Sequence, residues 1–226
     1  MPTVEGREPP LARHEDQVAR WPAEGRVILA SFDAETVVVY QAYREEIAAW
    51  ALAHGRFGGP WSRDRMSWVK PGFLWMMYRS GWGTKHDQER VLGVRLERAF
   101  FDDVLARAVP TGFDPAVYPD RESWQAAGSA TDVRVQWDPD HAPDGSPVAR
   151  RAIQLGLRGA TLGRYADQAI VAIHPMDAVV ARGRDAAPDA LVTPLERPYP
   201  VADAAVRRRL RLDVPAETVP AEEIAP

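Results

Sequence analysis

The 226-residue sequence predicts a single α+β domain in which helices pack around mixed, mainly antiparallel sheets. Its β-branched runs arrive singly between helical stretches in the first half and cluster in the second, unlike the regular alternation of a doubly wound parallel sheet. Its composition, 46% apolar and 27% charged, is that of a globular chain long enough to bury one sizeable core. No strand is followed by GxGxxG or by GxxxxGK, which removes the Rossmann dinucleotide fingerprint and the P-loop. The expected organisation is a polar leader over 1–25, the domain over 26–212, and a Pro/Glu/Ala-rich tail over 213–226 whose composition predicts disorder.

Arg26–Phe32 (RVILASF) reads as the first strand, and Asp33–Glu35 turns the chain into Thr36–Gln41 (TVVVYQ), the second. Ala42–His54 follows as a helix, with Ile47, Trp50 and Ala51 at helical spacing and Gly55 where a left-handed C-cap belongs. After the Gly58-Gly59-Pro60 break, Arg65–Lys70 is expected as a strand and Phe73–Arg79 as a helix, because Phe73, Met76 and Met77 share one helical face. Val91–Leu96 predicts a strand, Ala99–Ala108 an amphipathic helix ended by Pro110, and Arg121–Ala127 a short helix in a loop-rich stretch. Asp132–Trp137 alternates strictly, Asp138–Pro147 reads as a turn-rich link, and Arg151–Leu157 as another strand. Thr161–Ala166 is expected as a short helix, Ala169–Ile173 as the last clear strand, Asp177–Arg182 as a helix and Ala204–Leu210 as a basic helical turn.

Several chemistries are excluded or disfavoured by what is missing. Without cysteine there is no disulfide, no thiolate nucleophile and no Cys-based metal centre. No run approaches the roughly 20 apolar residues of a spanning helix and the N-terminus lacks an apolar signal core, so a cytoplasmic protein off the membrane is expected. His54, His86, His141 and His174 show no paired-ligand spacing, so no metal site is expected. The carboxylates of Asp138 and Asp140 read as part of a turn. No GxSxG marks a serine nucleophile. The net charge of −4 gives no broad attraction for nucleic acid, so any anion must be held locally.

The local candidate is Trp61–Glu89. Of the 28 basic residues only Lys70 and Lys85 are lysine, and both fall here among four tryptophans, Arg63, Arg65 and Arg79. Against an arginine-rich background, a retained ammonium marks a place where size or reactivity matters, so Lys70 and Lys85 are candidate catalytic groups. Cations set among rings and glycines can grip phosphate while an aromatic stacks on a base. On that reading Arg65 and Arg79 hold phosphates and Trp68 stacks. Arg134, Arg151 and Gln154, on strands expected to be adjacent, make a second anion contact.

The run RMSWVKPGFLWMMYRSGWGTKHDQE (65–89), with VYQAY (39–43), VRVQWDPD (133–140) and RRAIQLGL (150–157), resembles a bacterial and fungal family described only as a domain of unknown function, over most of 26–200. In layout, the strand ending VYQ, the helix closed by Gly55 and Phe57, the Ser67–Val69 strand, the Phe73–Arg79 helix and VLGVRL also resemble the NAD-binding half of the ADP-ribosyltransferase fold. That resemblance implies NAD as cofactor, a nucleotide site touching Tyr40 and Gln41, Trp68 against the nicotinamide, and Lys70 and Arg79 facing phosphates. The family's catalytic glutamate falls at Gln168, with Asp167 beside it; an amide there lacks the charge that steadies an oxocarbenium-like transition state. The expected function is thus a nucleotide-handling transferase acting on RNA or a phosphorylated substrate. Two alternatives stand beside it: an RNA-ligase-like nucleotidyltransferase using ATP, with Lys70 or Lys85 as nucleophile, and a module that binds RNA or a nucleotide without chemistry.

Overall fold

The structure is a computed structural model that describes residues 8–213, so the disorder expected of 213–226 falls, beyond Asp213, outside the described residues. The chain opens with strand β1 (Leu11–Arg13), helix α1 (His14–Val18), the short strands β2 (Gly25–Arg26) and β3 (Leu29–Ala30), strand β4 (Thr36–Tyr43) and helix α2 (Glu45–His54). Strand β5 (Ser67–Val69), helix α3 (Phe73–Ser80), strand β6 (Arg90–Glu97), helix α4 (Arg98–Arg107), strand β7 (Val109–Pro110) and helix α5 (Arg121–Ser129) follow. Strands β8 (Val133–His141) and β9 (Pro147–Leu157) lead to helix α6 (Gly159–Arg164), which runs into a π-helical turn at Tyr165–Ala169. Strand β10 (Ile170–Pro175), helix α7 (Asp177–Asp185), strands β11 (Val192–Pro194) and β12 (Arg197–Pro198) and helix α8 (Ala204–Leu210) complete it.

The architecture is α+β with mostly antiparallel pairing. One sheet has the order β10-β6-β4, all antiparallel. A second is built on the antiparallel β8–β9 hairpin, with β7 added parallel to β8, and β2 (parallel) and β5 (antiparallel) added to β9, while β1–β11 and β3–β12 form two-stranded sheets. The larger apolar core joins Val37 and Val39, Leu92 and Val94, and Leu155 and Leu157 to helix residues such as Phe101 and Leu105. A smaller one gathers Tyr40, Phe73, Met76 and Met77 against Val179 and Val180. The bounded apolar runs of β4 and β6 are therefore buried strands, covered on both faces.

Several element expectations are corrected. Arg26–Phe32 is not one strand: Arg26 pairs with β9 while Leu29 and Ala30 pair with β12, so the chain crosses between sheets within four residues. The helix expected from Ala42 starts at Glu45, because β4 continues to Tyr43 against Arg90; it does end at a left-handed Gly55. Asp138–Pro147 is not a link. Its two ends are the arms of the β8–β9 hairpin, with Asp138 opposite Ala152 and only 142–146 turning. Of the leader, residues 11–18 form β1 and α1, with β1 paired to β11 and the Gln17 side chain holding the backbone N–H of Glu196.

Helix α3 determines the geometry of the site. Phe73, Met76 and Met77 are buried as their spacing predicts, and the helix stops at Gly81 in the left-handed region (φ 59°). Past that stop the Lys85 ammonium reaches back to the carbonyl of Arg79 (2.8 Å), which the last turn leaves open, and to that of Tyr78 (3.4 Å), which also accepts the Gly81 N–H.

Candidate functional site

Between β4, β5, α3 and the β8–β9 hairpin lies a cleft of about 620 Å³, a size that suits a small-molecule ligand. Lys70, Arg65, Arg79, Trp68, Gln41 and Gln154 all line it, together with Gln136, Ser67 and Tyr43. Sequence positions up to 113 residues apart thus meet at one surface.

Lys70 follows β5 and is tied by its backbone to Tyr40 on β4. Only 5% of it is exposed, and its ammonium makes no hydrogen bond or ion pair among the described residues. Burial pushes it down from 10.5 to about 8, with Arg79 lowering it further and Asp138 working the other way. At neutral pH roughly a tenth of such amines are unprotonated, against well under a thousandth for a solvated lysine. The guanidinium groups of Arg65 and Arg79 are exposed at the cleft and likewise make no hydrogen bond or ion pair among the described residues. Other arginines are paired, such as Arg90 with Asp177 and Arg150 with Asp140.

The floor is polar and ordered. The carboxylate of Asp138 accepts the side-chain amide N–H of Gln136 and of Gln154, each at 2.8 Å, from residues directly opposite on β8 and β9. A charged acceptor fixes the direction of both amides, so each amide oxygen points away from Asp138. Trp68 pairs across from Gly156, whose missing side chain lets the indole lie flush on the sheet beside Met66. A hydrogen-bonded chain pins this strand: Trp61 donates to the Tyr43 hydroxyl (3.0 Å), which contacts Ser67 (3.3 Å), and Ser67 Oγ accepts from Gln41 (2.9 Å). Gln41 also donates to the Trp68 carbonyl (3.1 Å) and accepts from the Tyr165 hydroxyl (2.5 Å).

The sequence candidates therefore separate. Lys70, Arg65, Arg79, Trp68 and Gln154 converge on the cleft with groups free to meet a ligand. Gln41 reaches the cleft, but its amide is committed to Ser67, Trp68 and Tyr165, which makes it a positioning residue. Tyr40 lies wholly in the smaller core, ring against Phe73, and acts on the site through its backbone. Lys85 is occupied as the cap of α3 and does not line the cleft. Asp167 and Gln168 sit exposed in the π-helical turn outside the cleft, where Asp167 is held by both guanidinium nitrogens of Arg63 at 2.6 Å. The second anion set splits: Arg134 donates to the Gly128 carbonyl and is outside the cleft, while Arg151 borders a different chamber.

Sequence reasoning overlooked Gln136, although its alternation with Arg134 and Asp138 on one face of β8 signals it. It also read Asp138 as a turn residue. Among the described residues no three His, Asp or Glu side chains gather as metal ligands, and no helix is long and apolar enough to cross a membrane. The family model that matches residues 27–199 is described as a domain of unknown function, DUF4291. No curated protein matches the chain.

Proposed function

We propose, for a chain that belongs to the DUF4291 family, a domain of unknown function, that the cleft binds a nucleoside triphosphate and that Lys70 is the nucleophile of a nucleotidyl transfer. One observation carries this reading: three cations without partners among the described residues, Lys70, Arg65 and Arg79, line a single cleft, and the buried one is a lysine whose titration burial lowers to about 8. Unpaired buried charge is costly, so a site that retains it gains when an anion arrives.

In the reaction, neutral Lys70 Nζ attacks the α-phosphorus of ATP; the N–P bond forms as the Pα–O bond to the leaving pyrophosphate breaks, and the surplus amine proton passes to solvent. Arg65 and Arg79 neutralise the phosphate oxygens, Trp68 offers a face to the base, and the oxygens of Gln136 and Gln154 accept from its polar edge. A terminal phosphate oxygen of an acceptor such as an RNA end then attacks the same phosphorus, the N–P bond breaks, and Lys70 leaves as the amine, taking a proton from solvent. A NAD-dependent ADP-ribosyl transfer draws less support, because Gln168 and Asp167, the groups it would use to orient the ribose, do not line the cleft.

The test is incubation with ATP labelled at the α-phosphate, with magnesium, followed by denaturing electrophoresis. Label should stay on the wild-type chain and on Lys85→Ala, and be absent from Lys70→Ala. Wild-type protein that binds ATP yet never retains label would leave a binding module. Nicotinamide released from NAD would instead establish the transferase.

A further inference from the structure

A second chamber, about 770 Å³ in volume, shares no lining residue with the cleft. It is enclosed by α1, the start of α3 and the β8–β9 hairpin, and its walls are mostly apolar, with Val18, Leu29, Leu74, Trp75 and Ile153 among them. Into this lining projects Glu196, which is 6% exposed. One carboxyl oxygen accepts the backbone N–H of Phe73 at 2.7 Å, and the other has no partner among the described residues. The residue is fixed in place from both sides of its backbone: its N–H donates to Gln17 (2.8 Å) and its carbonyl accepts from Trp21 (2.9 Å).

We propose that this chamber is a second binding site, for a small amphipathic amine whose apolar body packs on Trp75, Leu74 and Ile153 and whose ammonium sits on the free carboxyl oxygen of Glu196. Ligand sites of this volume have mainly apolar walls and a few fixed polar groups, which is the arrangement here. Charge selects the class. Asp140 is cancelled by Arg150 at 2.7 Å and Glu15 is met by Arg13 at 3.4 Å, which leaves Asp189 and the Glu196 carboxyl against Arg151. His14, also in the lining, is held neutral by burial and by Arg150 and does not repel a cation. An empty chamber keeps the Glu196 carboxyl protonated, since burial, aided by Asp140, lifts it to about 8. An arriving ammonium replaces that proton. The cleft, lined by Arg65, Lys70 and Arg79, repels the same ligand.

Calorimetry with tryptamine and with tryptophol, its neutral hydroxyl counterpart, tests this on the intact chain. At pH 7 tryptamine should bind about tenfold more tightly than tryptophol. Each tryptamine bound should release roughly one proton, read from the heat difference between buffers of unlike ionisation enthalpy. Glu196→Gln keeps the acceptor for Phe73; it should bring the ratio close to one, with tryptophol affinity unchanged. Equal affinities in the wild type, amine binding without proton release, or no binding of either probe would overturn the proposal. The proton count comes from the wild-type protein, so it decides the matter even if the variant folds poorly.

Discussion

Lys70 and Tyr40 exchange both backbone hydrogen bonds, Tyr40 N–H to the Lys70 carbonyl at 2.6 Å and Lys70 N–H to the Tyr40 carbonyl at 3.2 Å. This single antiparallel bridge fastens the edge of the three-stranded sheet to the chain leaving β5. It explains how a lysine can remain buried with no counter-ion among the described residues. The backbone is clamped on the strand side, Pro71-Gly72 restricts it on the other, and the side chain is left to point where the fold places it.

Replacing Lys70 by Met should therefore stabilise the protein while abolishing the nucleotide adduct. The Lys70 ammonium titrates at about 8 when folded and 10.5 ordinarily, so between those values the unfolded chain binds more protons and wild-type stability rises with pH. Below pH 8 the full penalty applies. Lys70→Met should be more stable than wild type by about 2–3 kcal/mol at pH 6.5, with the gap closing between pH 8 and 10.5. Urea unfolding at three pH values measures it. A gap that does not change with pH would mean that the ammonium is not the source.

The rate of adduct formation should follow the neutral fraction of Lys70 and so rise with pH to a plateau. Arg79 lowers the titration of Lys70 and Asp138 raises it. Arg79→Ala should accordingly move the midpoint to higher pH and Asp138→Asn to lower pH. Midpoints moving together would dissociate one of these neighbours from the amine.

Much of this site was legible because lysine scarcity and the clustering of cations with rings are properties of composition, and Lys70, Arg65, Arg79 and Trp68 do meet. Partnering was not legible. Lys85 shares the scarcity of Lys70, but a helix stop at Gly81 turns it onto carbonyls, and nothing in the sequence says which lysine will be spent on a cap. Gln41 and Asp167 were sound as residue types yet are consumed by Tyr165 and Arg63, from positions 124 and 104 residues away. In the fold, alternation in 132–137 and 151–157 marked the hairpin. The proline in Asp138-Pro139-Asp140 suggested a turn, although proline is tolerated where β8 bulges between Pro139 and His141.

Asp167→Ala and Gln168→Ala should leave ATP binding and adduct formation unchanged. The Arg63–Asp167 pair is solvent-exposed, so its loss should cost no more than about 1 kcal/mol. Loss of labelling in either variant would reinstate the π-helical turn as part of the active surface and revive the transferase reading.

Glu196→Gln gives a second pH signature of opposite sign. Folding raises the Glu196 carboxyl from 4.5 to about 8, so over that interval the folded chain keeps a proton that the unfolded chain releases, and wild-type stability falls as pH rises. The stability of Glu196→Gln relative to wild type should therefore increase from pH 4.5 to pH 8 and level off above it. Parallel denaturation profiles for the two proteins would show that the carboxyl is not protonated in the fold.

Gly156→Ala tests whether the close approach of Trp68 to the sheet matters. A β-carbon at 156 would stand 2.5 Å from Met66 Sδ and 3.0 Å from the Trp68 ring, so both side chains must lift toward the cleft. The residue lies within β9 and its φ is not positive, so strain enters through packing rather than backbone. The expected cost is about 1–3 kcal/mol, with ATP binding weakened roughly tenfold as the ring leaves its seat. Gly163→Ala is the control. It is in helix α6, and a β-carbon there meets nothing within 4 Å, so it should stabilise by about 0.5–1 kcal/mol and leave ATP affinity intact. If Gly156→Ala binds ATP as tightly as the control, Trp68 is a wall of the cleft and not a stacking surface.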